Sequence, residues 1–469
     1  NLRELWVLAD REERKGLIRE GLDAAAQEHG VRVGWDEALL EEVTDLVEWP
    51  VPVVGRFDQE LLELPARLLM ESMKVHQRYF PALNADGSLS NLFFITSNNP
   101  VGDGPLIAEG NRRVIGARFQ DAQFFFREDK RRSLQEHGAN LIKMRWVRGL
   151  GTMAEKQERL AALGALLAER IGADAEATRR AGSLAKCDLL SQMVGEFPEL
   201  QGHMGRLYAE HQGEPAEVAL AIEEHYLPRF ANDTLPSTGG GQALALADRL
   251  DSLVGCFSIG LVPKGNDPQG LRRAANGVLA ILLAEGHRES LADLVGLPGP
   301  QAPGLVDFIL ARFRALMQAE GHATDVIDAV LKAGGDDPVL LAARVRGLSE
   351  LSASGDFSPL MVAFKRVLNI SKEHDRASFE QGLFEHRSEG ELAQAYREAL
   401  LQVPELVQAL NVGDALTHLV QMKPIIDRYF DDVLVNCEDP ALRASRLGLL
   451  RAISELFLSI ADFRAISTE

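Results

Sequence analysis

The sequence predicts a mainly α-helical, multidomain protein with a small α+β unit towards its N-terminal end. Three observations carry this expectation. The chain has 469 residues, enough for about three domains. Apolar residues recur at helical spacing through most of it. One early stretch is instead rich in β-branched and aromatic residues and is broken by an Asp-Gly pair. Hydrophobic residues make up 46% and charged residues 25% of the chain, which is ordinary globular usage and argues against wholesale disorder.

Taken in order, Val51–Phe57 reads as a strand after Pro50. Val75–Leu83 and Leu89–Ser97 read as two more, flanking Asn84-Ala85-Asp86-Gly87, where the Asp-Gly pair can take the positive φ of a hairpin turn. Residues 31–100 thus form the α+β unit. Further on, Leu160, Leu163, Leu167 and Ile171 make one apolar stripe. So do Val306, Ile309, Phe313 and Met317, and then Leu447, Leu450, Ile453, Phe457 and Ile460. Such stripes are core faces of amphipathic helices. Breakers punctuate the rest. The run 236–241 (PSTGGG) reads as a flexible loop, 298–304 (PGPQAPG) as a linker and 334–338 (GGDDP) as a further loop. These divisions give an α+β unit with a basic helix at 1–148, a helical domain at 149–297, a helical linker region at 298–350 and a C-terminal helical domain at 351–469.

Charge and motifs exclude several functions. Lysine and arginine total 50 against 69 aspartates and glutamates, a net charge of −19. A chain this acidic is no general binder of nucleic acid or membrane surface and must grip RNA, if at all, through local patches. Cys187, Cys256 and Cys437 lie far apart with no CxxC pair, which fits a reducing cytoplasm. Apolar runs such as Val278–Ala284 fall short of the ~20 residues of a membrane span. Asn1 begins in a stretch that reads as structured, which suggests a fragment with no signal peptide. There is no phosphate loop, no dinucleotide fingerprint and no nucleophile elbow. Phe126-Arg127-Glu128-Asp129 only loosely matches the ATP-binding arginine motif of class II aminoacyl-tRNA synthetases and reads as a helix surface. No catalytic residue is assigned.

A metal centre is expected to be absent. HD-type phosphohydrolases hold a divalent ion with an upstream His, a His-Asp pair and a distant Asp. Here the pair is Cys187-Asp188, followed by Asp248 and Asp251, and no His lies between His137 and His203. His203, His211 and His225 match no ligand spacing.

Basic clusters are the informative chemistry. From Asn111 to Arg148 there are ten basic residues (Arg112, Arg113, Arg118, Arg127, Lys130, Arg131, Arg132, Lys143, Arg145 and Arg148) and four acids (Asp121, Glu128, Asp129 and Glu136), a balance of +6. An Arg-rich helix face can contact phosphates; a solvated face with internal ion pairs is the alternative. A second cluster is Lys264, Arg272 and Arg273, around a helix start where Asp267 reads as the N-cap and Pro268 as the first helical residue. The third is Arg443, Arg446 and Arg451, in a stretch without acids from Pro440 to Ser454, with Lys365 and Arg366 on an earlier helix.

Several long segments resemble one family in order along essentially the whole chain: Glu42–Pro50 (EVTDLVEWP), Met73–Pro81 (MKVHQRYFP), Gly110–Phe126 (GNRRVIGARFQDAQFFF), Leu150–Arg159 (LGTMAEKQER), Leu184–Tyr208 (LAKCDLLSQMVGEFPELQGHMGRLY), Glu224–Phe230 (EHYLPRF), Ala245–Gly255 (ALADRLDSLVG), Pro263–Arg273 (PKGNDPQGLRR) and Glu438–Phe457. The chain resembles the β subunit of the bacterial-type glycyl-tRNA synthetase, without the N-terminal region that precedes Asn1 in that family.

The resemblance implies a tRNA-holding subunit of a glycine–tRNA ligase in a cytoplasmic α2β2 assembly. The α subunit would use ATP and Mg for adenylation, and this chain would bind no cofactor itself. Its partners would be the α subunit, a second β chain and the glycine tRNA, with no membrane and no DNA. Residues 149–297 would be a degenerate HD-like domain without its metal, and 351–469 an anticodon-binding-like domain. Lys365, Arg366, Arg443, Arg446 and Arg451 are then expected on the anticodon arm, and Arg112, Arg113, Arg118, Lys264, Arg272 and Arg273 on the acceptor side or body of the tRNA. Replacing Arg446 by Ala is expected to weaken tRNA binding without unfolding the chain. Two other readings stay open, an HD-type metal-dependent phosphohydrolase and a helical scaffold with no RNA role.

Overall fold

The computed structural model describes residues 2–355 and 357–466. Among them are twenty α-helices and one four-stranded antiparallel sheet, so the protein is mainly α. The chain divides into two compact units. The first takes Asn1–Trp146, Thr152–Gln157 and Ser183–Glu223; the second takes Val147–Gly151, Glu158–Gly182 and Glu224–Glu469.

The first unit is organised by its sheet. Strands β1 (Arg32–Val33), β2 (Val51–Arg56), β3 (Phe80–Leu83) and β4 (Leu89–Ser97) lie in the order β1-β3-β4-β2. The β3–β4 hairpin turns where Asp-Gly predicts: Gly87 has φ +87°, and Asp86 accepts from the Ser88 amide. β4 is central and buried on both faces. On one face Leu92 and Phe94 join Ile18 and Leu22 of the Arg11–Glu28 helix and Leu40 and Val43 of the Glu37–Leu46 helix in one core. On the other face Phe93 stacks on Tyr79 at 4.9 Å. There, Phe57 meets Phe119 of the Gly104–Asp129 helix edge-on at 5.1 Å. Gly55 permits this, because a Cβ there would sit 2.3 Å from the Phe93 ring.

One predicted strand is shorter than expected. Val75–Gln77 belong to the Ala66–Gln77 helix, which ends at a left-handed Arg78 before β3 begins at Phe80. Leu68, Leu69 and Met73 recur at helical spacing and are fully buried, so packing overrides the β-propensity of Val75.

The second unit is helical. Its predicted stripes face inwards: Ile309, Phe313 and Met317 of the Leu305–Ala319 helix are fully buried, as are Leu450, Ile453 and Phe457 of the Pro440–Leu458 helix. Phe457 packs with Phe364 and Phe463 at ring distances of 5.4 and 6.1 Å. Residues 298–304 and 334–337 are non-helical connections, with positive φ at Gly299, Gly304, Gly334 and Gly335.

The triglycine is not a loop. Gly239–Gly241 form the first turn of the Gly239–Ser258 helix, capped by Thr238. The buried Glu224 carboxylate accepts from the amides and hydroxyls of Ser237 and Thr238, and a Cβ on Gly241 would lie 2.1 Å from it. Close approach to a carboxylate, rather than flexibility, requires glycine here.

Candidate nucleic-acid interface

The basic stretch of the first unit splits into paired and unpaired halves. Arg112 forks onto Glu109 through Nε and Nη2 at 2.7 and 3.0 Å, and Arg113 donates to the same carboxylate through Nε at 2.9 Å. The two guanidiniums hold the Glu109 carboxyl down at about 2. Arg118 reaches Glu196 at 3.1 Å and Arg131 reaches Glu128 at 2.5 Å. In contrast, Arg127, Arg132, Lys143 and Arg145 are exposed and, among the described residues, have no carboxylate within ion-pair distance. The three arginines expected from the sequence to contact the tRNA, Arg112, Arg113 and Arg118, are therefore ion-paired within the chain. The i,i+3 and i,i+4 spacing to Glu109 is a sequence signal for two of them; Glu196 is brought in only by folding.

Asp129 corrects the reading of its motif as a helix surface. It ends the Gly104–Asp129 helix and is only 2% exposed. Its carboxylate accepts from the amides of Gln192 and Met193 at 2.9 Å and from the Tyr208 hydroxyl at 3.0 Å. Burial, with Asp129 beside it, pushes the Tyr208 phenol far up and keeps it a donor. Arg127 and Glu128 stand outside this buried anchor.

In the second unit the Lys264 cluster differs from expectation at its helix start. The helix runs Leu271–Glu285 with Gly270 at its N-cap, and Pro268 lies before it. Asp267 still caps, from three residues further back: its carboxylate accepts from the Leu271 and Arg272 amides, both at 2.8 Å. The helix terminus is thus occupied by an internal anion, and any external phosphate must be held by side chains. Arg272 donates to the Gly265 carbonyl at 2.9 Å. Arg272 and Arg273 line one cavity of about 820 Å³, together with Arg312 and Phe230, which the sequence did not single out. Lys264 is exposed and is not part of that lining.

The C-terminal cluster is also divided. Arg443 is exposed at the start of the Pro440–Leu458 helix, and Arg451 pairs with Glu455 one turn on at 2.9 Å. Arg366 lies over the Phe430 ring at 4.2 Å, and Lys365 beside it is half-buried. Arg446 is the correction: it is 3% exposed and donates to Glu389 at 2.7 Å and to the Leu434 carbonyl at 3.0 Å. Glu389 is itself fully buried. Arg446 is therefore a buried ion-pair partner rather than an exposed cation, which makes loss of stability, not only of RNA binding, the expected result of its replacement by Ala.

At the Cys187-Asp188 pair both side chains are buried. Asp188 accepts from the Gly202 and Gly205 amides at 2.5 and 3.1 Å, and burial raises its carboxyl above the usual range. His203 contacts Glu223 at 3.1 Å, while His211 is exposed and His225 buried. Among the described residues, no group of three His, Cys, Asp or Glu side chains comes together as a metal site. No described helix is long and apolar enough to cross a membrane.

Comparison with known proteins gives first a class, that of an aminoacyl-tRNA ligase subunit. A family model described as the glycyl-tRNA synthetase beta subunit matches residues 1–332. The glycine–tRNA ligase beta subunit of Chromohalobacter salexigens is 43% identical across 98% of this chain and 69% of its own length. Those of Myxococcus xanthus and Vibrio cholerae are 42% and 40% identical, across 100% and 97% of this chain and 70% and 68% of their own lengths. The chain belongs to the glycyl-tRNA synthetase β-subunit family.

Proposed function

We propose that this chain holds the glycine tRNA for aminoacylation, while the α subunit of the ligase performs adenylation with ATP and Mg. The chain supplies no adenylation site of its own and works in a cytoplasmic α2β2 assembly with a second β chain. Residues 149–297 act as an HD-like domain without metal and 351–469 as an anticodon-binding-like domain.

The observation that supports this best is a set of exposed cations on a chain of net charge −19 that, among the described residues, have no carboxylate within ion-pair distance: Arg127, Arg132, Lys143 and Arg145 in the first unit and Arg443 in the second. An RNA-free scaffold would be expected to neutralise its arginine clusters internally, as Arg112, Arg113 and Arg118 partly do. Arg366 and Arg443, with Lys365 and Arg451, are the anticodon-side candidates; Arg112, Arg113 and Arg118 contribute to the tRNA body only through the charge left over beside Glu109 and Glu196. Phosphate contacts position RNA, and unpaired loops expose the base edges that can be read.

The test is binding of glycine tRNA and a non-cognate tRNA to the purified chain, alone and with α, at near-physiological salt. Preferential binding of the glycine tRNA supports the reading. Equal binding of both tRNAs in the presence of α would sink it.

A further inference from the structure

We propose that the cavity of about 820 Å³ in the second unit is a pocket for one unpaired nucleotide of the bound RNA, its base against Phe230 and its phosphate on Arg273 and Arg312. The proposal rests on the tRNA-binding reading and names a site within it. The cavity lies within the range of about 300–1,000 Å³ that small-molecule sites occupy.

Its chemistry is one-sided. Arg272, Arg273 and Arg312 line it against two acids, Asp233 and Asp267. Both acids are tied up internally. Asp267 caps the Leu271–Glu285 helix through two amides. Asp233 accepts from the Arg229 amide at 2.8 Å and from its Nε at 3.3 Å, which holds its carboxyl below the usual range against the effect of its own burial. Among the described residues, Arg273 and Arg312 have no carboxylate partner. Arg273 lies back against Gly270, where a Cβ would come 2.8 Å from its Nη2. The lining therefore presents uncompensated guanidinium charge to an anion, and guanidiniums suit phosphate by their fork of donors.

The wall opposite in character is aromatic. Phe230 is 62% exposed, an unusual position for a phenyl ring. The backbone leading into it is held. Arg249, buried beneath it, donates to the carbonyls of His225, Tyr226 and Pro228 at 2.9–3.2 Å. Gly277 makes room for that side chain, since a Cβ there would lie 2.3 Å from the Arg249 Nε. An exposed ring that follows a backbone segment held by Arg249, beside arginines without a carboxylate partner among the described residues, is an arrangement on which a base can stack while its phosphate is neutralised. Asn232 and Asn276, also in the lining, can both donate to and accept from a base edge.

The chemistry recognised is a nucleoside monophosphate unit, which a tRNA strand or a free nucleotide could supply. The experiment uses the full chain, alone and with α. Glycine tRNA affinity is measured over a salt series for wild type, for Phe230→Ala and for the double variant Arg273→Gln/Arg312→Gln. Binding of AMP, CMP, GMP and UMP is followed by saturation-transfer NMR. Phe230→Ala should weaken tRNA binding about tenfold with an unchanged salt slope, because stacking carries no charge. The double variant should lower the slope by roughly one or two ion equivalents. The solvent exposure of Phe230 keeps the first variant folded, which its melting curve checks. If wild type binds tRNA and both variants match it, the pocket is wrong and the tRNA reading survives. Phe230-dependent binding of mononucleotides with unaltered tRNA affinity makes this a free-nucleotide site and overturns the RNA assignment. Binding of neither tRNA nor nucleotide overturns both.

Discussion

Arg446 and Glu389 form a buried ion pair, Nε to Oε1 at 2.7 Å, with side-chain exposures of 4% and 0%. The other Glu389 oxygen accepts from the amides of Glu385 and His386, so one carboxylate joins the start of the Arg387–Gln408 helix to the Pro440–Leu458 helix. Breaking such a pair from one side leaves an uncompensated buried charge, which typically costs about 3–5 kcal/mol. Arg446→Ala should therefore destabilise the second unit by that order in urea unfolding. A loss under about 1 kcal/mol would mean the pair is solvated in solution.

The Glu223 carboxyl gives a pH prediction. Burial alone would raise it, but His203 at 3.1 Å, with Arg67 and Arg206, brings it down to about 2 from an unperturbed 4.5. A depressed carboxyl contributes stability that is full above the unfolded value and fades as pH falls from about 4.5 towards 2. Denaturation midpoints of wild type and Glu223→Gln should therefore differ most above pH 4.5 and converge below that value. A constant difference across the range would remove Glu223 as the titrating group.

The division of the first unit's arginines predicts unequal effects on RNA binding. Replacing Arg127 or Arg132 by Gln should reduce the salt slope of tRNA binding by roughly one each, as for a phosphate contact. Arg118→Gln should change it less, because Glu196 already neutralises that side chain. Filter binding across a salt series reads both. Equal slopes for all three variants would mean ion pairing is irrelevant to RNA contact.

Gly277→Ala tests the clasp beneath the Phe230 loop. The added methyl would meet Arg249 at 2.3 Å and push it off its carbonyl partners. Overpacking of this kind costs about 1–3 kcal/mol. Faster proteolytic cleavage in residues 225–235 should accompany the loss. A wild-type melting temperature and cleavage rate would show that Arg249 can move without penalty.

How much of this was legible follows from how local each signal is. The Asp86-Gly87 hairpin, the stripe of Ile309, Phe313 and Met317, and Asp267 as a helix-capping acid could all be read along the chain, because turn chemistry and periodicity act within a few residues. Family membership was legible for a different reason: many ordered segments match at once. The length of the strand ending at Leu83 is not legible locally, since burial of Leu68, Leu69 and Met73 decides where the preceding helix ends.

The amino-acid order by itself determined the mainly helical class, the small antiparallel unit and the presence of arginine clusters on an acidic chain. Only the tertiary structure decided which arginines remain available. Arg446 finds Glu389 57 residues away and turns inwards, Arg118 finds Glu196 78 residues away, and Arg273 and Arg312 meet Phe230 around one cavity. Charge is a property of the sequence, whereas its neutralisation depends on which side chains packing brings within about 4 Å, where the Coulomb term becomes comparable with the cost of desolvation.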